Sequence, residues 1–393
     1  MENLLLLTPQ EQQLRLKKLW DAMAKAGIRS AIISYHANLY YLTGRVYSGY
    51  AYLYSPDAEP VYFVKRPTHL EGNVISIRKP ESIIDEIKTH NLPMPQDVGI
   101  EYHTLSYGDA LRLIKALGVS EVKNVSPCIT EARACKTEFE IAKLRKSGVK
   151  HEAVYKRIPQ LYKSGMTDIE LQTEIEAVER FEGCLGIFRI SGNDMEIHMG
   201  NLIAGDNADT PSPYDFAMGG AGLDPSLPVG ANGTLIRRGM SVMVDLCGNF
   251  TGYMTDMSRS FACGEVSELA QKAHQLSIDI CHAAAQLGRA GVEAKALYAM
   301  AEAMVKEAGL ENYFMGHRQH AGFIGHGVGI EINELPVIAP RSKDVLAVGN
   351  AIALEPKFVI PGVGAVGIES TYIVTETGME CITNAAEQLI RLE

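Results

Sequence analysis

S-V-M-V-D-L-C-G-N-F-T-G-Y-M-T-D-M-S-R-S, residues Ser241–Ser260, decides how the rest of the chain is read. An apolar run, Val242–Leu246, carries one carboxylate, Asp245. Asn and Gly punctuate the chain at Asn249–Gly252, and the return arm carries a second carboxylate, Asp256. Strand, turn and strand spell a β-hairpin. With the turn centred between Phe250 and Thr251, Asp245 and Asp256 face each other. Directly opposed side chains lie roughly 5 Å apart at Cβ. Two carboxylates at that spacing in an apolar strand pair repel each other and lose hydration, so a positive partner is required. A metal ion meets that need.

A second hairpin repeats the pattern. Ala351–Val359 is apolar but for Glu355, apart from Lys357 and Pro356, and Ile360-Pro-Gly-Val-Gly364 turns the chain. Val366–Val374 returns with Glu369. Opposed about Gly362, Glu355 and Glu369 form another facing pair. Gly325-His326-Gly327-Val328-Gly329 lies between the two hairpins, its glycines allowing close approach of backbone and ligand. Four carboxylates and an imidazole suit a pair of hard or borderline divalent ions. Two such ions about 4 Å apart activate a bridging hydroxide and polarise a carbonyl.

Composition bounds the classes. At 393 residues the chain has room for two domains. A net charge of −10 argues against nucleic acid as partner, because phosphate contacts need a basic face. No apolar run reaches the ~18 residues of a membrane span, and Met1–Leu7 lacks a basic start and a cleavage site. Seven scattered cysteines without a C-x-x-C fit reduced thiols and a cytoplasmic location.

In chain order, Thr8-Pro9 opens a helix to about Lys25, with Leu14, Leu16, Leu19, Trp20 and Met23 as its apolar face. Ala31–Ser34 reads as a buried strand, and Tyr50–Tyr54 with Pro60–Val64 as a hairpin. His36, His69, His90 and His103 show no ligand spacing and read as surface or structural. A charged helix over about Lys136–Lys163 follows, and Thr167-Asp-Ile-Glu170 is a capping-box start for the next. The Pro/Gly-rich stretch Asp206–Gly233 is long enough to be functional. Two helices, about Ser267–Gly288 and Ala294–Ala308, separate the hairpins.

These residues resemble the metallopeptidase family of creatinase, aminopeptidase P and prolidase. The likeness rests on V-D-L-C-G, G-Y-M-T-D-M-S-R-S-F, G-H-G-V-G-I-E, L-E-P and G-I-E-S-T, in order and spacing, and covers essentially the whole chain. Asn38-Leu-Tyr-Tyr-Leu-Thr-Gly44 and the Arg133-Ala-Cys-Lys136-Thr-Glu138 segment carry it into the N-terminal half. It implies a two-domain α/β chain: residues 1–132 a creatinase-like α/β accessory domain, and residues 133–393 a pita-bread α+β catalytic domain with a pseudo-two-fold antiparallel sheet. It also implies that Asp245 chelates one ion, that His326 and Glu355 hold the other, and that Asp256 and Glu369 bridge. Manganese is the expected metal, with cobalt, zinc or iron as alternatives, and a homodimer is the expected assembly.

Departures from the family pattern bear on chemistry. The family's V-H-E-x-P reads Ile332-Asn333-Glu334-Leu335-Pro336 here, and its L-P-H reads Leu227-Pro228-Val229 or Thr210-Pro211-Ser212. Gly367 stands where prolidase-like members carry an arginine that grips a substrate carboxylate, and E-P-G-x-Y has become Glu355-Pro-Lys357-Phe-Val359. Asn333 is a candidate oxyanion donor. His198 and His320, with His317, are candidate stand-ins for the missing imidazoles; Arg318 and Lys357 are candidates for the missing cation. Glu355 is expected to serve as base as well as ligand. The expected activity is a dinuclear-metal, Xaa-Pro aminopeptidase-like hydrolysis acting on a peptide or small amide. A C–N hydrolase or lyase on a small non-peptide molecule is the alternative, and an inactive binding module the third reading.

Overall fold

The computed structural model describes residues 6–68, 70–190, 198–214 and 219–393. It divides into two compact units, Met1–Arg133 and Ala134–Glu393. Among the described residues no helix is long and apolar enough to cross a membrane.

The first unit is a mixed six-stranded sheet whose central strand, Ser30–Ile33, pairs antiparallel with Ser48–Leu53 and parallel with Val98–Ile100. Its first helix, Pro9–Lys25, starts where Thr8 accepts a hydrogen bond from the Glu11 amide, as the Thr-Pro signal predicts. The buried stripe differs from expectation: Glu11, Arg15, Leu19, Ala22 and Met23 face inward, while Leu14 is exposed. Arg15 causes the rotation, because its guanidinium pairs with Glu11 at 2.7 Å and donates to the Tyr41 carbonyl at 2.8 Å. A buried ion pair thus takes the place that hydropathy alone assigns to leucine. His36, His90 and His103 are exposed, and His69 lies outside the described residues.

The second unit holds two larger sheets that meet at a seam, together with a two-stranded ladder of Lys357–Ile360 and Gly364–Gly367. One runs in the order Ile390–Leu392, Met254–Cys263, Ser241–Asn249, Gly200–Ala204. The other runs Glu334–Ile338, Gly325–Gly327, Ala351–Leu354, Ser370–Val374, Met379–Cys381. Helices Glu138–Tyr155 and Asp168–Phe181, both started by complete capping boxes at Thr137 and Thr167, pack on the first sheet. Helices Glu268–Leu287 and Ala294–Ala308 pack on the second. The long charged helix ends at Tyr155, short of the Lys163 expected from its charge pattern; a separate short helix, Ile158–Leu161, follows with Pro159 in its first turn.

Strand Met254–Cys263 is buried along its whole length because it has helices on one face and the other sheet on the other. Hydrogen bonds stitch the seam. The Glu369 amide donates to the Ser258 carbonyl at 3.0 Å, and the Asp256 amide to Thr371 Oγ1 at 2.9 Å. Beneath them the buried Arg259 guanidinium donates to the carbonyls of Ser258, Glu369 and Thr383.

Candidate metal centre

Every acid singled out in the sequence comes from the seam. Asp245 lies on strand Ser241–Asn249 and Asp256 on Met254–Cys263; His326 is the middle residue of Gly325–Gly327. Glu355 follows Ala351–Leu354 and Glu369 precedes Ser370–Val374, at the points where the second hairpin leaves one ladder for another. The predicted register of that hairpin holds: Lys357 pairs with Gly367 and Leu354 with Ser370, which sets Glu355 opposite Glu369. The first hairpin is a correction. Asp245 pairs with Ser258, and Asp256 with Cys247, because the turn takes in Phe250–Tyr253 and is longer than its Asn/Gly signal suggests.

Asp256, His326 and Glu369 converge so that one ligand atom of each lies within 4.8 Å of the others. His326 Nε2 is 3.4 Å from Glu355 Oε1 and 3.8 Å from Asp256 Oδ2. Its Nδ1 lies 3.1 Å from the Gly327 carbonyl, which orients the ring. Glu369 Oε1 is buried without a hydrogen-bond partner among the described residues. A buried, unpaired carboxylate oxygen beside an imidazole and a second carboxylate is what a divalent ion with mixed N and O donors satisfies. These residues fit one such ion.

Lys357 occupies the rest of the centre. Its Nζ lies 3.0 Å from Asp245 Oδ2, 3.0 Å from Glu355 Oε2 and 2.9 Å from Glu369 Oε2, and its side chain is fully buried. The sequence offers Lys357 as a substitute grip on a substrate carboxylate; the structure spends all three of its ammonium protons on the protein's own acids. Ser258 Oγ donates to the same Glu369 Oε2 at 2.6 Å.

The electrostatics follow from burial and these contacts. Burial, and then the carboxylates of Glu369, Asp245 and Glu355, push the Asp256 carboxyl well above its usual range. Burial also raises Asp245, against the pull of Lys357. For Glu355 burial pushes upward, but Lys357 and His326 outweigh it and hold the carboxyl below its usual range. His326 is disfavoured as a cation by burial, yet Glu355 and Glu369 carry it up to about 9.

The remaining candidates stand apart from this cluster. His320 is exposed, with Nδ1 2.8 Å from the Phe314 carbonyl. His317 pairs with Asp209 at 2.9 Å, and Arg318 joins the same carboxylate at 3.3 Å. Exposed His198 lines a cavity of about 270 Å³ with Asn201, Asp224, Leu227 and Val229. Among the described residues neither His198 nor His320 shares a hydrogen bond or ion pair with the four carboxylates. Asn201 is the register partner of Asp245, so the cavity adjoins the strand that carries an expected ligand. Asn333 is half-buried in the turn before strand Glu334–Ile338. Its neighbour Glu334 is held by buried Lys136 at 2.9 Å.

Residues 142–376 match Metallopeptidase family M24, and residues 15–135 match the Creatinase/Prolidase N-terminal domain. The chain belongs to metallopeptidase family M24. Its second unit is the pita-bread domain of that family, and the chain is a hydrolytic enzyme of the M24 class. It is 27% identical over 387 residues to an Xaa-Pro dipeptidase of Pyrococcus furiosus, covering 96% of this chain and 99% of that one. It is 25% identical over 390 residues to the uncharacterized peptidase YqhT of Bacillus subtilis, covering 96% and 100%. The fold matches the Xaa-Pro dipeptidase from Bacillus anthracis with a TM-score of 0.79 at 24% identity, over 97% of this chain and 100% of that one. It matches X-Pro aminopeptidase from Thermotoga maritima with a TM-score of 0.77 at 19% identity, over 94% and 99%. Membership of M24 implies a divalent metal and a peptide substrate.

Proposed function

We propose that this M24 chain is a metal-dependent, Xaa-Pro aminopeptidase-like hydrolase that releases the N-terminal residue of peptides with proline second. The observation that carries this reading is the convergence of buried Asp256 and Glu369 with half-buried His326. Those residues hold the metal, manganese in this reading, which when bound polarises a carbonyl and acidifies water. Glu355, kept ionised by Lys357 and His326, accepts the proton of the attacking water at Oε1 and returns it to the leaving amine. Asn333 supplies a neutral hydrogen bond to the oxyanion.

Gly367 favours an aminopeptidase over a dipeptidase, although the relatives above include dipeptidases. A Cβ there would sit 2.9 Å from the Pro356 carbonyl and 2.9 Å from Ser277 Oγ, and the backbone has φ +138°. No side chain fits, so no arginine at this position can grip the C-terminal carboxylate of a dipeptide. The metal count expected from sequence, two ions, is the part of the reading that Lys357 challenges. The reading also includes a homodimer in the cytoplasm, supported by family resemblance.

The alternative, a C–N hydrolase acting on a small non-peptide molecule, draws support from Val229, which lines the cavity where an aligned family histidine is expected. A panel of peptides with proline or other residues at position two, incubated with Mn²⁺-loaded protein and read by mass spectrometry, separates the two. Release of the first residue from Xaa-Pro peptides is the expected result. A silent panel from metal-replete protein overturns the peptidase reading in favour of the small-molecule one.

A further inference from the structure

Lys357 is the most unusual residue of the centre. An ammonium has three protons, and here three carboxylates from three segments take one each: Asp245, Glu355 and Glu369. The backbone on either side is fixed. The Lys357 carbonyl accepts from the Met315 amide at 2.8 Å, and the strand pairs with Gly364–Gly367.

Asp245 and Glu369 are the carboxylates that the family resemblance gives to a second ion, and their Oδ2 and Oε2 are two of the three oxygens held by the ammonium. Oxygen ligands approach a first-row divalent ion to about 2.0–2.2 Å. Nζ already lies 2.9–3.0 Å from all three. An ion and an ammonium cannot share that space. What remains is Asp256, His326 and Glu369 Oε1, which is buried with no hydrogen-bond partner among the described residues.

We propose that the Lys357 ammonium takes the place of one metal ion, so that the centre binds a single divalent ion at Asp256, His326 and Glu369. Glu369 still bridges two positive centres, but one of them is covalently part of the chain: Oε2 meets the ammonium and Oε1 the ion. The inference rests on the metal-dependent reading above, and concerns ion count, which is measurable without any substrate.

The test is a Mn²⁺ titration of metal-stripped full-length protein by calorimetry, with bound metal counted by mass spectrometry after desalting. The wild type is expected to take up one Mn²⁺ per chain. Lys357→Gly, which restores the glycine of the E-P-G pattern, is expected to take up two. Two ions in the wild type, or one in a folded Lys357→Gly variant, overturns the proposal. Should that variant not fold, an anomalous difference map of Mn²⁺-loaded wild-type crystals decides: one peak beside His326 supports the inference, and a peak among Asp245, Glu355 and Glu369 overturns it. Uptake of no ion overturns this inference and the metal-dependent function together. One bound ion with a silent peptide panel overturns only the peptidase function.

Discussion

Asp245 lies across its strand pair from Ser258, and the Ser258 hydroxyl reaches the carboxylate of Glu369 at 2.6 Å on the other sheet. The register therefore places a neutral donor, not a third acid, beside Asp245. It fixes the oxygen of Glu369 that faces Lys357 and leaves the other oxygen buried with no hydrogen-bond partner among the described residues. Ser258→Ala is expected to keep the fold and weaken Mn²⁺ binding roughly 10–100-fold, the usual cost of losing a ligand's supporting hydrogen bond. Calorimetric titration beside a thermal melt checks this, and an unchanged affinity would show that Glu369 is oriented by Lys357 and Arg259 alone.

Asp256 is one of the three residues that meet around the candidate ion. Asp256→Ala is expected to abolish measurable Mn²⁺ uptake and all turnover while leaving the protein folded. Relief of repulsion among Glu369, Asp245 and Glu355 offsets the lost contacts. Metal retained at wild-type stoichiometry in this variant would sink the proposed ligand set.

Gly367 is closed to any side chain by its φ of +138° and by the Pro356 carbonyl and Ser277 hydroxyl. Gly367→Ala is expected to cost about 1–3 kcal/mol of stability through backbone strain and overpacking. Gly367→Arg, which copies the prolidase-like residue, is expected to destabilise further and to confer no dipeptidase activity. Chemical denaturation and a dipeptide assay read the two effects.

By the family resemblance, Asn333 is proposed to stand where peptidases of the family carry histidine. If it is the oxyanion donor, Asn333→His replaces a neutral amide by a stronger donor and is expected to raise kcat on Xaa-Pro peptides by about tenfold, a fraction of what a whole oxyanion-hole donor contributes. A fall in kcat at unchanged KM would mean that the pocket around Asn333 is shaped for different chemistry.

Glu179 supplies a pH prediction remote from the metal. Its carboxylate is buried on helix Asp168–Phe181, and burial, opposed by the nearby Cys184 thiol and reinforced by Glu176, pushes its pKa from 4.5 up to about 8. The folded state therefore holds a proton that the unfolded chain releases. Stability from this group is present below about pH 4.5 and is lost as pH rises towards 8. Glu179→Gln removes that loss. Its melting temperature is expected to exceed the wild type's at pH 8.5 and to match it near pH 4.5.

Sequence and structure agree most closely where local signals are sharp. The Pro361-Gly362 turn is short and centred, so the opposition of Glu355 and Glu369 is legible in the sequence. Phe250–Tyr253 has no such centre, and a turn one residue off its expected midpoint shifts every partner by two. The side-chain faces survive that shift, because strand periodicity is two, and so the acids still point at the centre while their partners change. The role of Lys357 was hidden for a different reason. A lysine next to a proline in an apolar strand signals a departure, but only the fold brings Asp245 from over a hundred positions away to meet it. His198 and His320 attracted notice as imidazoles near family motifs, and distance in the chain says nothing of which face they occupy.

The second hairpin changes sheets without changing register: Lys357 opposite Gly367 in one ladder, Leu354 opposite Ser370 in the next. The two glutamates sit at that crossing and belong to neither ladder. Length is therefore free to vary in one place and frozen in another. Residues added at the Pro361–Val363 tip would lengthen a loop and leave both glutamates opposed. A single residue added on one arm, between Lys357 and Ile360, would slide Glu355 past Glu369 and carry the lysine with it. The hairpin works as a vernier whose tip can be trimmed, whereas its arms set the alignment of the centre.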